Sequence, residues 1–266
     1  MDIFFLPVII AGIMAGASIG LLGVYIVGIR MPFIGTCISH AAMVGAIYAA
    51  LIDLNSTLGA VIASVTAAAS LSLIKPYRTR LDSNVGLSAV FSLMLGLTFL
   101  GVGLEQGSRN EMLSLLWGNV LFSDWTTVTI TSAATALLLI FALAFNKELK
   151  ALLFSRSIAA ASGIHEQFVY FLLLCITGIT LAVNIKAVGG LLIFSLISNP
   201  AGAAYQLFTG FRAIILASIT AGVLSTLVGF TLSYTLDLPT GACIVLTSTS
   251  LLGLALLLRK ILKLRD

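Results

Sequence analysis

About nine stretches of this 266-residue chain are apolar over the length needed to cross a bilayer, and this recurrence limits the fold more than any single motif. They run roughly over 3–29, 38–54, 57–74, 84–104, 126–145, 167–185, 188–209, 213–235 and 242–258. A helical span needs about 20 mostly apolar residues. Backbone N–H and C=O groups find no water in hydrocarbon, so each must be bonded within its own helix or within a closed sheet. Barrel strands alternate apolar and polar residues, and none of these stretches does. The expected fold is all-α, a polytopic bundle of about nine transmembrane helices, with 1–266 as a single transmembrane domain. Only 9% of residues are charged, against about 25% in a soluble domain. The first stretch is too long for a signal-peptide core and lacks a basic start, so it counts as a span.

The net charge of +4 comes from residues between the spans and reports orientation, not nucleic-acid binding. Cytoplasmic loops of membrane proteins carry the excess of Lys and Arg. Placing Arg259, Lys260, Lys263 and Arg265 inside and alternating backwards also puts Arg30, Lys75, Arg78, Arg80, Lys147, Lys150, Arg156 and Arg212 inside. Only Arg109 and Lys186 then fall outside, twelve cations against two. The expected orientation has the N-terminus outside, the C-terminus in the cytoplasm, and an odd number of spans.

Three connections stand out. Lys75–Asn84 is short and basic, holds Pro76, and reads as a tight cytoplasmic turn. In 105–125, Leu113–Phe122 is expected to form a short extracytoplasmic interfacial helix, with Trp117 and Trp125 at headgroup level. In 146–166, the small residues Ser157–Ser162 permit a short helix that Gly163 can stop, offering a docking surface to a cytoplasmic partner. Within the spans, Gly12, Gly16, Gly20 and Gly23 share one helical face and predict close helix packing. Pro200 removes one helical hydrogen bond and obstructs the carbonyl of Leu196, so a break is expected there, surrounded by Ser195, Ser198 and Asn199. Such a break suits either a healed kink or the wall of a water-filled path. Asp237-Leu-Pro-Thr-Gly241 has turn chemistry, and its carboxylate at the outer mouth is suited to drawing in cations.

One of the two histidines, His40, falls inside an apolar stretch, whereas His165 lies in a loop. An ionisable group within a span marks a functional site by default. Neutral imidazole suits zinc and iron and, less well, manganese; a bond to a nearby backbone carbonyl is the alternative use. Cys37, Cys175 and Cys243 have neither metal nor redox spacing. No Gly-x-x-x-x-Gly-Lys-Ser/Thr sequence is present, so the chain has no nucleotide-binding P-loop of its own. The absence of His-Glu-x-x-His and Gly-x-Ser-x-Gly argues against an enzyme.

Taken in order, the motifs are similar to those of the integral-membrane permeases of zinc/manganese/iron ABC importers, the ABC-3 family. They are Arg30-Met31, Phe33-x-Gly35, Ser39-His40-Ala41 with Gly45, Asp82-x-x-x-Gly86, and Leu116 to Leu121. Phe154, Ala159 and Gly163, Pro200-Ala201 with Ala204, and Asp237-x-Pro239-x-Gly241 complete the set. The resemblance implies a type II ABC importer fold, shared with cobalamin and siderophore permeases but lacking their first helix. It implies a homodimer around one pathway in the cytoplasmic (inner) membrane of a prokaryote. Two ATP-binding cassette subunits hydrolyse ATP, and an extracytoplasmic solute-binding protein delivers the cargo. Zn, Mn or Fe is then substrate, and the chain itself binds no cofactor. His40 and Asp237 become candidate metal ligands, Thr36, Ser39 and Asn199 further path residues, and Phe154, Ala159 and Gly163 the ATPase-coupling residues. Two positions depart from the pattern. Thr36 stands where the family usually has an acid four residues before the histidine, and Ser155 where the coupling loop usually has an Asp. Thr36 keeps open a metal chelate or other small cargo; a stand-alone secondary transporter is the reading from a different class.

Overall fold

The computed structural model describes residues 6–73, 83–105, 115–118, 123–190 and 192–262. In chain order the helices are α1 (Leu6–Gly28), α2 (Pro32–Leu51), α3 (Ser56–Leu73), α4 (Ser83–Leu104), α5 (Trp125–Ala144), α6 (Asn146–Phe154), α7 (Arg156–Ala161), α8 (Glu166–Val188), α9 (Ile193–Leu207), α10 (Phe211–Leu236) and α11 (Thr240–Ile261). Eight of these, α1 to α5, α8, α10 and α11, are long and apolar enough to cross a membrane. Over their most apolar windows α1 and α2 are 72% buried and α8 is 67% buried, whereas the other five lie between 22% and 39%. Three helices therefore form the centre, and the other five spans leave many of their leucines and isoleucines exposed.

The ninth apolar stretch is not a full span. Its helix, α9, has 15 residues, about 22 Å at the helical rise, against a hydrocarbon core of about 30 Å. Gly189 ends α8 at φ +91°, and the next helix starts only at Ile193. Gly23 of α1 lies against the backbone of Ile197, so α9 begins near the level of Ile19, inside the bundle. The interruption thus follows Gly189 and is not at Pro200, through which α9 runs on as one helix. Proline removes a single hydrogen bond, and flanking turns can carry the helix past it. A glycine in the left-handed region turns the chain outright.

α2 also differs from expectation. It starts at Pro32, six residues before the apolar stretch that marks it in sequence, because proline suits the first helical position. The whole run from Phe33 to Gly45 is therefore helical, and Thr36 and His40 sit one turn apart on a common face. Lys75–Asp82 and Asn119–Phe122 lie outside the described residues. Of the expected interfacial helix, the described part is one turn, Leu115–Trp117, with Leu116 buried and Trp117 and Trp125 half exposed.

Small residues hold the centre together. A Cβ on Gly16 would stand 2.6 Å from the Gly222 carbonyl oxygen of α10, and one on Gly20 would stand 2.6 Å from that of Ser218. The Ser218 hydroxyl donates to the Gly20 carbonyl at 2.6 Å across the same seam. Gly12, in the same sequence series, faces open space.

Charge is divided between the two ends. Lys150 lies over the Phe211 ring, Arg259 donates to Gln206, and Ser72 and Leu73 border one cavity with His165 and Glu166. These contacts gather Arg30, Lys147, Lys150, Arg156, Arg212, Arg259 and Lys260 at one end, seven of the eight described cations. Lys186 and four of the six described acids, Asp53, Glu105, Asp124 and Asp237, lie at the other end. There Asp124 caps α5, accepting from the Thr127 amide at 2.8 Å and its hydroxyl at 2.7 Å. These bonds, the hydroxyl's first, hold the Asp124 carboxyl below its ordinary range.

Candidate transport path and docking helix

His40 is the ninth residue of α2, about 12 Å in from the cationic end. Its Nδ1 lies 3.0 Å from the Thr36 carbonyl oxygen. A carbonyl only accepts, so in the neutral ring Nδ1 carries the proton and Nε2 is the nitrogen with the lone pair. That Nε2 is buried with no protein partner, and so is the Thr36 hydroxyl. Phe91 of α4 meets the ring edge-on at 4.7 Å, and the histidine is only 3% exposed. On the same side the Cys37 thiol donates to the Leu87 carbonyl at 3.2 Å. One imidazole nitrogen, on a ring that packs against Phe91 of α4, and one hydroxyl a helical turn away are thus left without a protein partner. Buried polar groups are nearly always paired, so two such orphans one turn apart mark a place for a ligand or water.

Ser39 serves differently. Its hydroxyl donates to the Gly190 carbonyl at 3.1 Å, tying α2 to the α8–α9 interruption. Asn199 on α9 donates to the hydroxyls of Ser248 and Thr249 on α11, at 3.1 and 3.0 Å. With Ser195, Ser198, Gly202 and Gln206 it makes a stripe along α9 that one chain covers only in part. Asp237 is the exposed C-cap of α10, in the left-handed region at φ 53°. The Ser233 hydroxyl, donating to the Leu238 carbonyl at 2.6 Å, closes that turn. Asp237 is at the acidic end and His40 towards the cationic end, so the structure does not bring the two candidate metal ligands together. Among the described residues no three His, Cys, Asp or Glu side chains gather at a metal-ligand distance.

At the cationic end α6 stops at Phe154, which is 80% exposed. Ser155 then caps α7, its hydroxyl accepting from the Ile158 amide at 3.5 Å. α7 ends in a paired closure: the Ile164 amide donates to the Ala159 carbonyl at 3.2 Å, and the Gly163 amide to that of Ala160 at 3.1 Å. The geometry needs a left-handed residue between helix and exit, and Gly163 provides it at φ +80°. Arg156 donates twice to Glu166 Oε2, at 3.0 and 2.8 Å, and its guanidinium lies 4.2 Å over the Tyr170 ring. Ala159 is fully buried and Ile158 is half exposed. The outward face is therefore Phe154 and Ile158, with Ala159 behind it, seating the helix on the bundle. Sequence reading missed Ile158 and Phe91; an apolar residue in an apolar run carries no signal of which way it points.

These features define a polytopic helical membrane protein with a helix that starts inside the bundle, a polar pair in its second helix and a capped helix at its cationic end. Residues 1–259 match the ABC 3 transport family, and the chain belongs to it. It is 28% identical over 92% of its length to the manganese transport system membrane protein MntC of Halalkalibacterium halodurans, covering 84% of that protein. It is 27% identical over 96% of its length to the high-affinity zinc uptake system membrane protein ZnuB of Haemophilus influenzae, covering 97% of it. The fold is that of a chain of PsaBC from Streptococcus pneumoniae in complex with Fab, with a TM-score of 0.86, 24% identity, and coverage of 98% of this chain and 95% of that one.

Proposed function

We propose that the chain is the permease subunit of an ABC importer that moves a divalent transition metal ion, Zn, Mn or Fe, across the cytoplasmic membrane of a prokaryote. The observation that carries this reading is the unpartnered Nε2 of His40 beside the unpartnered hydroxyl of Thr36, set within the bundle of an ABC 3 family chain. The names of the manganese and zinc relatives support the cargo class. His40 supplies one neutral nitrogen ligand and Thr36 a weak oxygen ligand, so the ion keeps most of its water. Weak holding suits a path, where an ion must also leave. Phe91 covers the His40 ring, so an ion reaching His40 from that side requires α4 to move off α2. A second copy meeting this one along the partly covered stripe of α9 would enclose a path past Asn199, with Asp237 at its outer mouth. Polar residues facing hydrocarbon are costly, which favours a partner over lipid there.

The charge division favours placing the cationic end in the cytoplasm, with the C-terminus inside and the N-terminus outside. Residues 146–166 then form the coupling loop, and Phe154 with Ile158 is the face that meets separate ATPase subunits. These subunits hydrolyse ATP, and an extracytoplasmic binding protein delivers the ion near 105–125. The test is ATP-dependent uptake of Zn2+, Mn2+ and Fe2+ by proteoliposomes holding the chain, its ATPase and its binding protein. Uptake of at least one ion is expected, and uptake of none would overturn the metal reading. The lack of a carboxylate beside His40 supports a second reading, a metal chelate as cargo. Uptake of a chelate without uptake of the free ion would establish it.

A further inference from the structure

At the cationic end a cavity of about 510 Å³ opens between α1, α6, α9 and α10, lined by Val27, Gly28, Arg30, Lys150, Leu153, Phe154, Tyr205 and Phe211. Two cations reach it from different elements, and no acid lines it. Arg30 and Lys150 have no carboxylate partner among the described residues; the ion pair found there joins Arg156 to Glu166. Lys150 is held 5.2 Å over the Phe211 ring. Arg30 sits in the left-handed region at φ 60°, a conformation that non-glycine residues adopt at a cost. The turn that follows α1 thus places a strained cation at the mouth of the cavity. The Tyr205 hydroxyl, donating to the Val24 carbonyl at 2.9 Å, fixes the opposite wall. The remaining wall is aliphatic and aromatic.

We propose that this cavity is a binding site for an anionic phospholipid. Arg30 and Lys150 hold its phosphate, and Val27, Leu153 and Phe211 take the upper part of an acyl chain. Two unpaired cations select a phosphate-bearing anion. A site for free phosphate would be walled mainly with donors, whereas this one sets Arg30, Lys150 and Tyr205 beside a larger apolar wall of Val27, Leu153, Phe154 and Phe211, at the end of α1 where its apolar span stops. Basic pockets between membrane helices at this level hold anionic headgroups. The site is separate from His40 and does not depend on which cargo is carried; it shares Phe154 with the face proposed to meet the ATPase subunits, and the test tells the two uses apart.

The experiment uses the full-length chain in nanodiscs of phosphatidylcholine with and without phosphatidylglycerol, followed by native mass spectrometry after mild delipidation. The expected result is one retained phosphatidylglycerol per chain, with phosphatidylcholine lost. A cation near an anionic headgroup contributes about 1 kcal/mol, about fivefold in retention. Arg30→Gln and Lys150→Gln should each lower retention by about that factor, and the double variant by about 25-fold. Equal retention of the two lipids would overturn the proposal, as would unchanged retention in the double variant. Stabilisation by inorganic phosphate in lipid-free detergent, without lipid preference, would assign the site to a free anion instead. If the double variant lost only its association with ATPase subunits and kept its lipid, the cations would belong to a protein interface. Lys150→Gln lies on the exposed side of α6, so its effect can be read even if Arg30→Gln disturbs the turn.

Discussion

The seam between α1 and α10 and the boundary between α2 and α4 are both helix contacts in the same bundle, built on opposite terms. At the seam, backbones touch: Gly16 faces the Gly222 carbonyl, and Gly20 accepts from Ser218. Between α2 and α4 the contact around His40 is made by rings, with Phe33 and Phe91 5.3 Å between centres and His40 against Phe91. Serine and threonine hydroxyls along the seam are bonded, those of Ser218, Ser225 and Thr226 among them. On the α2 side Thr36 and His40 keep unpartnered atoms. A contact made of backbone has one good arrangement and resists sliding. A contact made of rings over unmet polar groups has room for a second arrangement. The contrast suggests that the seam is the fixed frame and that α4 is the element that moves.

Gly16→Leu is the most severe way to test that contrast. Forcing a branched side chain against backbone costs on the order of 3 kcal/mol or more, and the chain should fail to purify as a single species by size exclusion. Phe91→Ala should be tolerated far better, giving folded protein with altered transport. His40→Ala comes next: assembly intact, metal uptake down at least tenfold, and normal uptake would remove His40 from the path. Thr36→Asp should work in the opposite direction. An acid and an imidazole one turn apart share a face and make a two-ligand grip, so Zn2+ binding by the purified chain should tighten about tenfold by calorimetry. Unchanged binding would show that the pair does not meet the ion. Gly163→Ala should be mildest, about 1 kcal/mol from the left-handed backbone, with weakened ATPase association and an unchanged transmembrane bundle by thermal melt.

Nine apolar stretches were legible in the sequence because span length and the lack of charge are gross features. The positive ends were legible for the same reason, since charge cannot sit within the bilayer. The glycine series on α1 was read correctly for Gly16, Gly20 and Gly23, where other backbones arrive, and not for Gly12, where none does. Pro200 misled because proline weakens a helix without having to end it, whereas Gly189, one of 24 glycines, gave no sign that it would turn the chain. His40 was visible as an oddity. That Phe91 would cover it, and that Ala159 would point inward while Ile158 pointed out, depends on which neighbour each face meets, and no local pattern encodes that.

The start of α9 inside the bundle has a consequence for biogenesis. A 15-residue helix that follows a glycine turn is too short to partition into hydrocarbon as a separate unit. It should leave the insertion machinery together with α8, as a hairpin whose second arm reaches only partway back. Its register is then fixed late. A Cβ on Gly118 would collide with Val188 and one on Gly241 with the Trp117 carbonyl, so the Leu115–Gly118 turn and the start of α11 close over the gap backbone to backbone. Because α11 follows the other described helices in the chain, the interior they build cannot be completed until α11 itself has been made.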